Sequence, residues 1–397
     1  MKKSNILLMF MLALGVFGII TTEMGIVGVL PQITEKFNIT ASQAGMLVSI
    51  FALIVAVSGP FLTLIFSRFN RKIVLLTAIF MFVLSNIFYA YTASFQVMLI
   101  FRILPAMFHP VFFSVALVTA AGLVVPEKSN AAIAKVFAGI TVGFAFGVPL
   151  TSFLAEQFSL ESAFLFGAAV NAIAFIGMLI WLPSLPIKEK LSYGKQLGIL
   201  RKPGLWINIG AIMFIFAAMF SVYSYFAEYL SEVTNMNKSL ISVMLMAFGC
   251  IMIYGNFLFG GFLQKNMTKT VILFPVLYTV IYVVAYLAGS FLLPMILAVC
   301  IWGIIHSGGL IVSQNWLMAE ADEAPEFGNS LFVSFSNLGI TIGASVGGWF
   351  IAQFGIHQLI WSGVIFAIIA FMLIMLKTKM LNRSKEKIKP VPSQVLE

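Results

Sequence analysis

Long, uninterrupted apolar runs limit what this chain can fold into more than any other feature of its sequence. The runs fall at twelve places: 5–30, 41–66, 73–92, 95–124, 131–155, 161–183, 205–230, 240–263, 270–289, 291–318, 329–354 and 358–376. A helix needs about 20 apolar residues to cross a bilayer, so the pattern predicts an all-α membrane protein with twelve transmembrane helices. A β-barrel is excluded, because its strands alternate apolar and polar residues over about ten positions.

The composition excludes the main alternatives to a membrane protein. Of the 397 residues, 61% are hydrophobic and only 9% are charged, whereas a soluble domain has about 25% charged residues. So few charges cannot cover the surface of a soluble enzyme, and a disordered chain lacks such apolar content. The first run is predicted to be a span, because it is too long for a signal peptide and has no small-residue cleavage site. Cys250 and Cys300 lie in apolar runs and are expected to be inert.

The net charge of +9 is sorted between the two sides of the predicted bundle. An even number of spans places both termini on one side. Of the 23 lysines and arginines, 20 fall on that side, and only Lys36 and Lys238 fall on the other. Cytoplasmic loops of membrane proteins carry such an excess of basic residues, so both termini are predicted to be cytoplasmic. The charge therefore reflects topology in the cytoplasmic membrane, and no nucleic-acid partner is expected.

Similarities between the two halves of the chain predict an internal repeat. PEKSN at 126–130 returns as PEFGN at 325–329, and GITVG at 139–143 returns as GITIG at 339–343, each at an offset close to 200. Two parallel six-helix halves, with a substrate site at their interface near the midplane, are one recurrent architecture of secondary transporters. We therefore predict two pseudo-symmetric bundles, with an N-terminal bundle at 1–183, a cytoplasmic linker at 184–204, a C-terminal bundle at 205–376 and a basic cytoplasmic tail at 377–397.

Two charged residues lie inside predicted spans at similar depth. Glu23 precedes the end of span 1, and Arg102 follows the start of span 4. A charge at the bilayer centre costs at least about 2.5 kcal/mol, so such residues usually face an internal cavity and carry function. We expect the two side chains to pair, or to face one polar cavity in which Glu23 takes up and releases a proton. A static ion pair that only orients spans 1 and 4 is the alternative.

His109 follows Arg102 by seven residues, which places both on nearly the same helix face as Ala106 and Phe113. Histidine can gain or lose a proton near neutral pH, so His109 is a candidate for substrate binding or proton relay. A structural histidine bonded to a neighbouring helix is the alternative.

In the second half, His306 lies in span 10 at a depth comparable with that of the span 4 histidine, and Asn315 follows it. At an offset of 200, Glu23 corresponds to Tyr223, so the acidic position has no counterpart. We therefore expect proton chemistry in the first half. The expected substrate contacts are Ala106, Phe113, Tyr223, His306 and Asn315. Glu228 is expected to be a solvated residue at a helix end.

Glycines recur at every fourth position of span 5, at Gly139, Gly143 and Gly147, and Pro149 follows them. Small residues at this spacing let membrane helices approach closely, and a proline can bend a span. The stripe is a candidate for a conformational role, and ordinary tight packing is the alternative. A similar stripe recurs in span 11.

An acidic cluster precedes span 11, at Glu320, Asp322, Glu323 and Glu326. It is a candidate gate that pairs with Lys265 and Lys269 when the cytoplasmic side closes, and a solvated loop is the alternative. The sequence contains no GxxxxGK[ST] phosphate-binding loop, no HExxH motif and no potassium-channel filter segment. An ATPase, a metalloenzyme and a potassium channel are therefore not expected.

Several motifs resemble those of the major facilitator superfamily, over essentially the whole chain. TTEMGIVGVLPQI at 21–33 resembles the span 1 pattern of twelve-span bacterial drug:proton antiporters. SRFNRK at 67–72 resembles the family's loop between spans 2 and 3, and GITVGFAFGVP at 139–149 resembles the antiporters' glycine–proline motif. Arg102 matches the family's span 4 arginine.

The loop motif departs from the family pattern. Ser67 stands where the family usually has aspartate, and Asn70 stands where it has glycine. The expected gating charges of the loop are therefore reduced to Arg68, Arg71 and Lys72.

The resemblance implies roles for Glu23 and Arg102 in proton coupling. It also implies export of a small organic molecule, such as a drug-like compound, a sugar or a nucleoside, by proton antiport and alternating access. The expected partners are the substrate, protons and the lipid bilayer, with no cofactor beyond the proton gradient and with a monomeric chain. A facilitator or proton symporter for uptake is one alternative, and a membrane sensor without turnover is another.

Overall fold

The computed structural model describes residues 3–66, 69–125, 129–184, 196–321 and 325–388, which are almost entirely helical. Eleven helical stretches among them are long and apolar enough to cross a membrane. The longest, Lys238–Ala288, leaves the helical conformation at Asn266 (φ −160°, ψ 96°). The rings of Phe259 and Phe274, on either side of Asn266, lie 5.9 Å apart, so the chain reverses direction there. This stretch therefore contains predicted spans 8 and 9, which gives twelve spans.

The first half contains spans 1 to 6. Span 1 consists of the helix Lys3–Met24, the 3-10 segment Gly25–Val29 and the helix Leu30–Phe37. Spans 2, 3 and 4 are the helices Ala41–Phe66, Arg71–Tyr91 and Phe95–Gly122. Span 5 consists of Ser129–Val142, the π-helical segment Gly143–Gly147 and the helix Val148–Gln157, and span 6 is Leu160–Trp181.

The second half begins after a 3-10 segment at Gln196–Arg201. Span 7 consists of the helices Pro203–Tyr223 and Phe226–Glu232, and spans 8 and 9 lie within Lys238–Ala288. Span 10 is Leu292–Met318, span 11 is Pro325–Phe354, and a 3-10 turn at Ile356–Gln358 leads into span 12, Leu359–Ile388. Span 12 therefore continues beyond its predicted end at 376 into the segment that was predicted to be a tail.

Consecutive spans run in opposite directions, so the bundle has two distinct ends. We call the end at which spans 1 and 7 begin the terminal side, and the other end the far side. Large apolar side chains cover the outer surface of the bundle, and Phe61, Phe257 and Leu293 are 64%, 79% and 73% exposed. Such a surface suits contact with lipid, in which helices satisfy their own backbone hydrogen bonds.

The glycine stripes show the internal repeat in three dimensions. A side chain added at Gly139 in span 5 would collide with the backbone of Ala13 in span 1. A side chain added at Gly339 in span 11 would collide with the backbone of Met213 in span 7. Both members of the second pair lie 200 residues after those of the first, so the two contacts are equivalent.

The same correspondence holds one and two turns further along. Gly147 lies against Thr21 of span 1, and Gly347 lies against Ser221 of span 7. Gly143 also faces span 1. The glycines thus allow spans 5 and 11 to approach spans 1 and 7 closely, as expected for small residues at this spacing.

Span 5 changes its helical geometry at the end of its glycine stripe. The π-helical segment Gly143–Gly147 directly precedes Pro149, the second residue of the next helix. Because proline has no backbone N–H, it cannot donate to the carbonyl four residues earlier, and a local π-turn accommodates this loss.

Polar contacts join the two halves near the far side. The hydroxyls of Ser152 in span 5 and Ser242 in span 8 lie 2.8 Å apart, and both residues are buried. Beyond them, Lys238 pairs with Glu35 at 2.9 Å. These contacts bring spans 1 and 5 against span 8 and close the far side of the interface between the halves.

Candidate substrate and proton site

The candidate site begins where span 1 stops being an α-helix. The α-helix ends at Met24, and the 3-10 segment Gly25–Val29 follows it, with Pro31 at the start of the next helix. In a continuous α-helix, the carbonyls of Thr22 and Glu23 would accept hydrogen bonds from the N–H groups four residues later. The change of geometry at this point makes these carbonyls available to a donor from another span.

Arg102 supplies that donor from span 4. Its Nη1 donates to the carbonyl of Thr22 at 2.8 Å, and its Nη2 donates to the carbonyl of Glu23 at 2.7 Å. Its Nε donates to the carbonyl of Leu47 in span 2 at 3.0 Å. The planar guanidinium with its fixed donors is suited to such a fork of acceptors. Arg102 therefore holds the backbone of span 1 at the break and ties it to span 2.

The environment of Arg102 differs from the expected ion pair. The residue is fully buried, and no carboxylate among the described side chains lies within ion-pair distance of it. The Phe51 ring lies 4.5 Å from the guanidinium carbon, and the Tyr89 ring lies 5.9 Å away, both within range of cation–π attraction. The guanidinium thus meets the backbone of Glu23, while the Glu23 carboxylate points to a different partner.

That partner is His109. The Glu23 Oε2 lies 3.1 Å from the His109 Nε2, and both side chains are buried. The two atoms are close enough for an ion pair, but they are not aligned for a hydrogen bond. The Phe113 ring lies 4.6 Å from the His109 ring, and Phe51 packs edge-on against it at 6.0 Å. The structure thus brings together the three residues that were predicted to lie on one cavity, with Phe51 between Arg102 and His109.

A polar network lies on the other face of span 1. Asn86 in span 3 and Asn171 in span 6 donate to the hydroxyl of Thr22 at 2.8 and 3.2 Å, and that hydroxyl donates to the carbonyl of Gly18. Beside it lies a cavity of about 10 Å³ that Thr151 also lines, close to the space that one water molecule needs. Neither asparagine was predicted from the sequence, although a polar residue within an apolar run was a usable signal.

The second half presents an aromatic cluster in place of the charges. His306 is fully buried, and its Nδ1 lies 2.6 Å from the hydroxyl of Tyr278. The Trp302 Nε1 donates to the same hydroxyl at 3.0 Å. At an offset of 200, Trp302 occupies the position of Arg102, and its role was not predicted from the sequence.

Tyr223 lies between His306 and the first half of the chain. Its ring is 4.7 Å from that of His306 and 6.3 Å from that of Phe144 in span 5. Phe248 in span 8 stacks on the same ring at 5.4 Å. Tyr223 and His306, both predicted substrate contacts, therefore come together where the two halves meet.

Phe113, a third predicted substrate contact, lies against His109, and the remaining two occupy different positions. Ala106 is fully buried in span 4, between the Arg102 and His109 levels. Asn315 is exposed on span 10 toward the terminal side, and its side chain donates to the carbonyl of Ile311 in its own helix. The structure thus does not bring Asn315 to the aromatic cluster.

The predicted gating charges on the terminal side form contacts within single halves. Lys72 donates to the carbonyl of Leu179 at the end of span 6, at 2.8 Å. Arg71 begins span 3, and Arg68 lies outside the described residues. The loop thus contacts span 6 of its own half.

Glu320 is the member of the acidic cluster whose side chain the structure describes. It pairs with Lys377 of span 12 at 2.8 Å, and the lysine is only 2% exposed. The proposed partners Lys265 and Lys269 are exposed. Asp322 and Glu323 lie outside the described residues, as does the side chain of Glu326. In this conformation Glu320 therefore joins the end of span 10 to span 12 instead of pairing with Lys265 or Lys269.

Comparisons with known proteins agree with this architecture. The sequence model of the Major Facilitator Superfamily matches residues 12–326. The chain is 28% identical over 369 residues to the inner membrane transport protein YdhP of Escherichia coli K12, covering 93% of this chain and 95% of YdhP. It is 24% identical over 357 residues to a probable sugar efflux transporter of Helicobacter pylori G27, covering 89% of this chain and 91% of that protein.

Among solved structures, a bacterial homologue of the human lysosomal transporter Spinster, in an inward-facing and unoccupied conformation, superposes with a TM-score of 0.82. The match covers 96% of this chain and 98% of that one, at 17% sequence identity. At this identity the superposition shows a shared fold and nothing further about substrate.

Proposed function

The chain belongs to the major facilitator superfamily and is a membrane transporter of small molecules, not an enzyme; from that premise we propose that it exports a small organic molecule in exchange for protons. The observation that carries this proposal is the buried contact between Glu23 and His109, at 3.1 Å, directly before the arginine-held break in span 1. A carboxylate and an imidazole can each take up and release a proton, and at this distance the charge of one affects the protonation of the other.

The proposed coupling works through span 1. When Glu23 is ionised, it attracts a protonated His109, which holds span 1 against span 4. Protonation of Glu23 removes its charge and weakens this attraction, while Arg102 still holds the Glu23 carbonyl. The carboxylate can therefore change its partner without loss of the local backbone structure, and this freedom favours a proton-carrying role over a static ion pair.

We place the substrate between the two halves, with Glu23, His109 and Phe113 on one side and Tyr223 and His306 on the other. Transporters of two six-helix halves bind substrate at this interface and alternate access around it. The glycine stripe Gly139, Gly143 and Gly147 with Pro149 would be the surface on which spans 1 and 5 adjust. Arg71, Lys72 and Glu320 would set the closure of the terminal side.

His306 offers a specific hydrogen bond at this interface. Trp302 can only donate to the Tyr278 hydroxyl, and that hydroxyl can in turn donate its own hydrogen to Nδ1 of His306. This direction leaves the imidazole neutral with its hydrogen on Nε2, an atom without a partner among the described residues. The Nε2–H of His306, surrounded by aromatic rings, would thus donate to an acceptor oxygen or nitrogen of the substrate.

Substitutions of His306 test this placement. His306→Gln keeps an N–H donor at a position near Nε2, so we expect it to retain substrate binding better than the similarly large His306→Phe. Binding is measured by the ligand-induced rise in melting temperature of the purified protein. Equal binding by both variants would remove His306 from the substrate site.

Topology and assembly complete the proposal. The sorting of basic residues supports a cytoplasmic terminal side, and the far-side contacts would then correspond to closure toward the outside. The repeat supplies both halves of the substrate site from one chain, so a monomer is sufficient. The Helicobacter pylori relative is named as a probable sugar efflux transporter, and this supports both the export direction and the inclusion of sugars among candidate substrates.

The test of the proposal has two steps. A thermal-shift screen of sugars, nucleosides and drug-like compounds on the purified protein first identifies a ligand. That ligand is then added to proteoliposomes that contain a pH-sensitive dye. Antiport predicts that protons move opposite to the ligand. Proton movement in the same direction would establish symport, and transport without proton movement would exclude coupling.

A further inference from the structure

Glu228 is buried, although its place near a helix end predicts a solvated carboxylate. It lies in Phe226–Glu232, the short helix that continues span 7 to the far side, and it is 6% exposed. Its Oε2 has no hydrogen-bond partner among the described residues. The sequence-based expectation is wrong because this helix packs against the 3-10 segment and the second helix of span 1 instead of ending in solvent.

The lysines near Glu228 already have other partners. Lys36 of span 1 pairs with Glu161 at 2.7 Å. Lys238, at the start of span 8, pairs with Glu35 at 2.9 Å. No described basic side chain lies within ion-pair distance of the Glu228 carboxylate. The buried acid therefore has no counter-charge.

The remaining titratable groups do not supply a positive charge either. The 3-10 segment of span 1, span 2 and the far half of span 11 contain none. The Nε2 of His357, in the turn before span 12, lies 3.2 Å from the carbonyl of Tyr286, on whose ring it stacks. Near the far-side ends of the helices packed around Glu228, the other titratable groups are phenols or an acid: Tyr225, Tyr229, Tyr282, Tyr286 and Glu232.

The position of Glu228 links its burial to the far-side closure. The helix Phe226–Glu232 of the second half contacts span 1 of the first half, so separation of the halves at this end would admit water to it. Transfer of an unpaired carboxylate from water into a buried site is strongly unfavourable unless the group takes up a proton. In the closed state the group is therefore neutral, and in the open state it can ionise.

We propose that Glu228 is a second proton-binding residue of the transport cycle, which holds a proton while the far side is closed and releases it when that side opens. The proposal rests on the alternating access proposed above, and it assigns Glu228 a role separate from that of Glu23. Because the closed state binds the additional proton, low pH on the far side favours closure, and high pH favours opening. The proton would thus act as a latch on the far-side gate.

Cysteine accessibility at the interface between the halves tests the latch. Ser242 is buried against Ser152 in the closed state, so Ser242→Cys would react with a membrane-impermeant maleimide only when the far side opens. The background carries Cys250→Ser and Cys300→Ser. Rates are divided by those of Asn237→Cys, an exposed position on the same side, which corrects for the pH dependence of thiol reactivity itself.

With Glu228 intact, we expect the corrected labelling rate to rise with pH, by up to about tenfold per pH unit, the limit for one linked proton. Glu228→Gln mimics the protonated acid and should make labelling slow and independent of pH. Glu156→Gln, an acid near the far-side end of span 5, is the matched control and should keep the pH dependence. The proposal would be overturned if labelling of Glu228→Gln still depended on pH. It would also be overturned if labelling did not depend on pH in the protein that retains Glu228.

Proton transport distinguishes this proposal from the proposed function. In the proteoliposome assay Glu228→Gln should slow ligand turnover but keep the number of protons moved per ligand. A lower ratio would overturn the latch, because Glu228 would then be a coupling residue. If the unmodified protein moves no protons while labelling still depends on Glu228, the antiport proposal fails and the latch stands.

Discussion

Arg102 donates from each of its three side-chain nitrogens to a backbone carbonyl, so its charge serves the backbone and not a carboxylate. Its hydrogen bonds to Thr22, Glu23 and Leu47 fix spans 1 and 2 at the break. The stabilisation therefore depends on the shape of the guanidinium as much as on its charge. The carboxylate of Glu23 remains available for His109 and for a proton.

We expect Arg102→Lys to lower the melting temperature of the purified protein clearly, and Glu23→Gln to lower it much less. A lysine cannot serve three separate carbonyls, and each buried carbonyl left without a donor costs about 1–3 kcal/mol. Glutamine at position 23 keeps the carbonyl that Arg102 binds. A loss of stability in Glu23→Gln as large as in Arg102→Lys would show that the carboxylate is the partner of the arginine after all.

Polar residues within spans were the most predictable part of the site, and their partners were the least predictable. A charged residue within an apolar run identifies Glu23 and Arg102 as candidates for function, because placing a charge in the bilayer is energetically unfavourable. Their contacts depend on where span 1 leaves the α-helix, which frees particular carbonyls. Phe51 touches both Arg102 and His109, but it is one of 40 phenylalanines, and its sequence surroundings do not distinguish it from the others.

At the scale of helices, spans 1 and 7 are equivalent in both packing and interruption. Span 1 changes geometry after Met24, and span 7 is interrupted after Tyr223. Spans 5 and 11 approach them through glycines at matching positions. The repeat was predictable from short sequence matches because close helix packing restricts which residues fit. The interruption of span 7 was not predicted, since no proline or glycine marks it.

The equivalent glycines can be tested as a pair. Gly139→Ala and Gly339→Ala each add a methyl group against the backbone of a neighbouring span, and overpacking of this kind costs about 1–3 kcal/mol. We expect both to lower the melting temperature. Gly261→Ala is the control, because a side chain there meets no atom within 4 Å, and alanine favours helix over glycine by about 1 kcal/mol. Equal effects at all three positions would contradict the packing account.

At the scale of the whole molecule, the conformation is closed at the far side. Ser152 meets Ser242 within the interface, and Glu35 meets Lys238 at its edge. The edge pair is exposed and contributes little stability by itself. Transport requires this end to open, so the buried serine contact is the better position at which to lock the molecule.

A disulfide at the serine pair should stop transport. The two hydroxyl oxygens lie 2.8 Å apart, so the double variant Ser152→Cys/Ser242→Cys is expected to form a disulfide under mild oxidation. Transport in proteoliposomes should be lost after oxidation and recovered after reduction. Each single variant, treated in the same way, is the control. Full transport by the oxidised, cross-linked protein would show that this contact persists through the cycle.

The number and direction of the spans follow from hydrophobicity and charge, because lipid imposes a length on each helix and favours basic residues on one side. The burial of Glu228 could not be predicted in this way. A position close to a helix end normally reaches solvent, but here packing of the short helix against span 1 and against neighbours in its own half buries the side chain. Long-range packing between the halves thus helps to determine which acidic residues near helix ends are available for proton chemistry.

Proton movement by Glu23→Gln tests the central claim most directly. The measurement uses proteoliposomes with an internal pH dye and the ligand from the thermal-shift screen, with Glu161→Gln on the far side as the matched acid control. The account predicts that Glu23→Gln loses ligand-dependent proton movement but still exchanges labelled for unlabelled ligand, while Glu161→Gln does both. If Glu23→Gln moves as many protons per ligand as the unmodified protein, Glu23 does not carry the coupled proton.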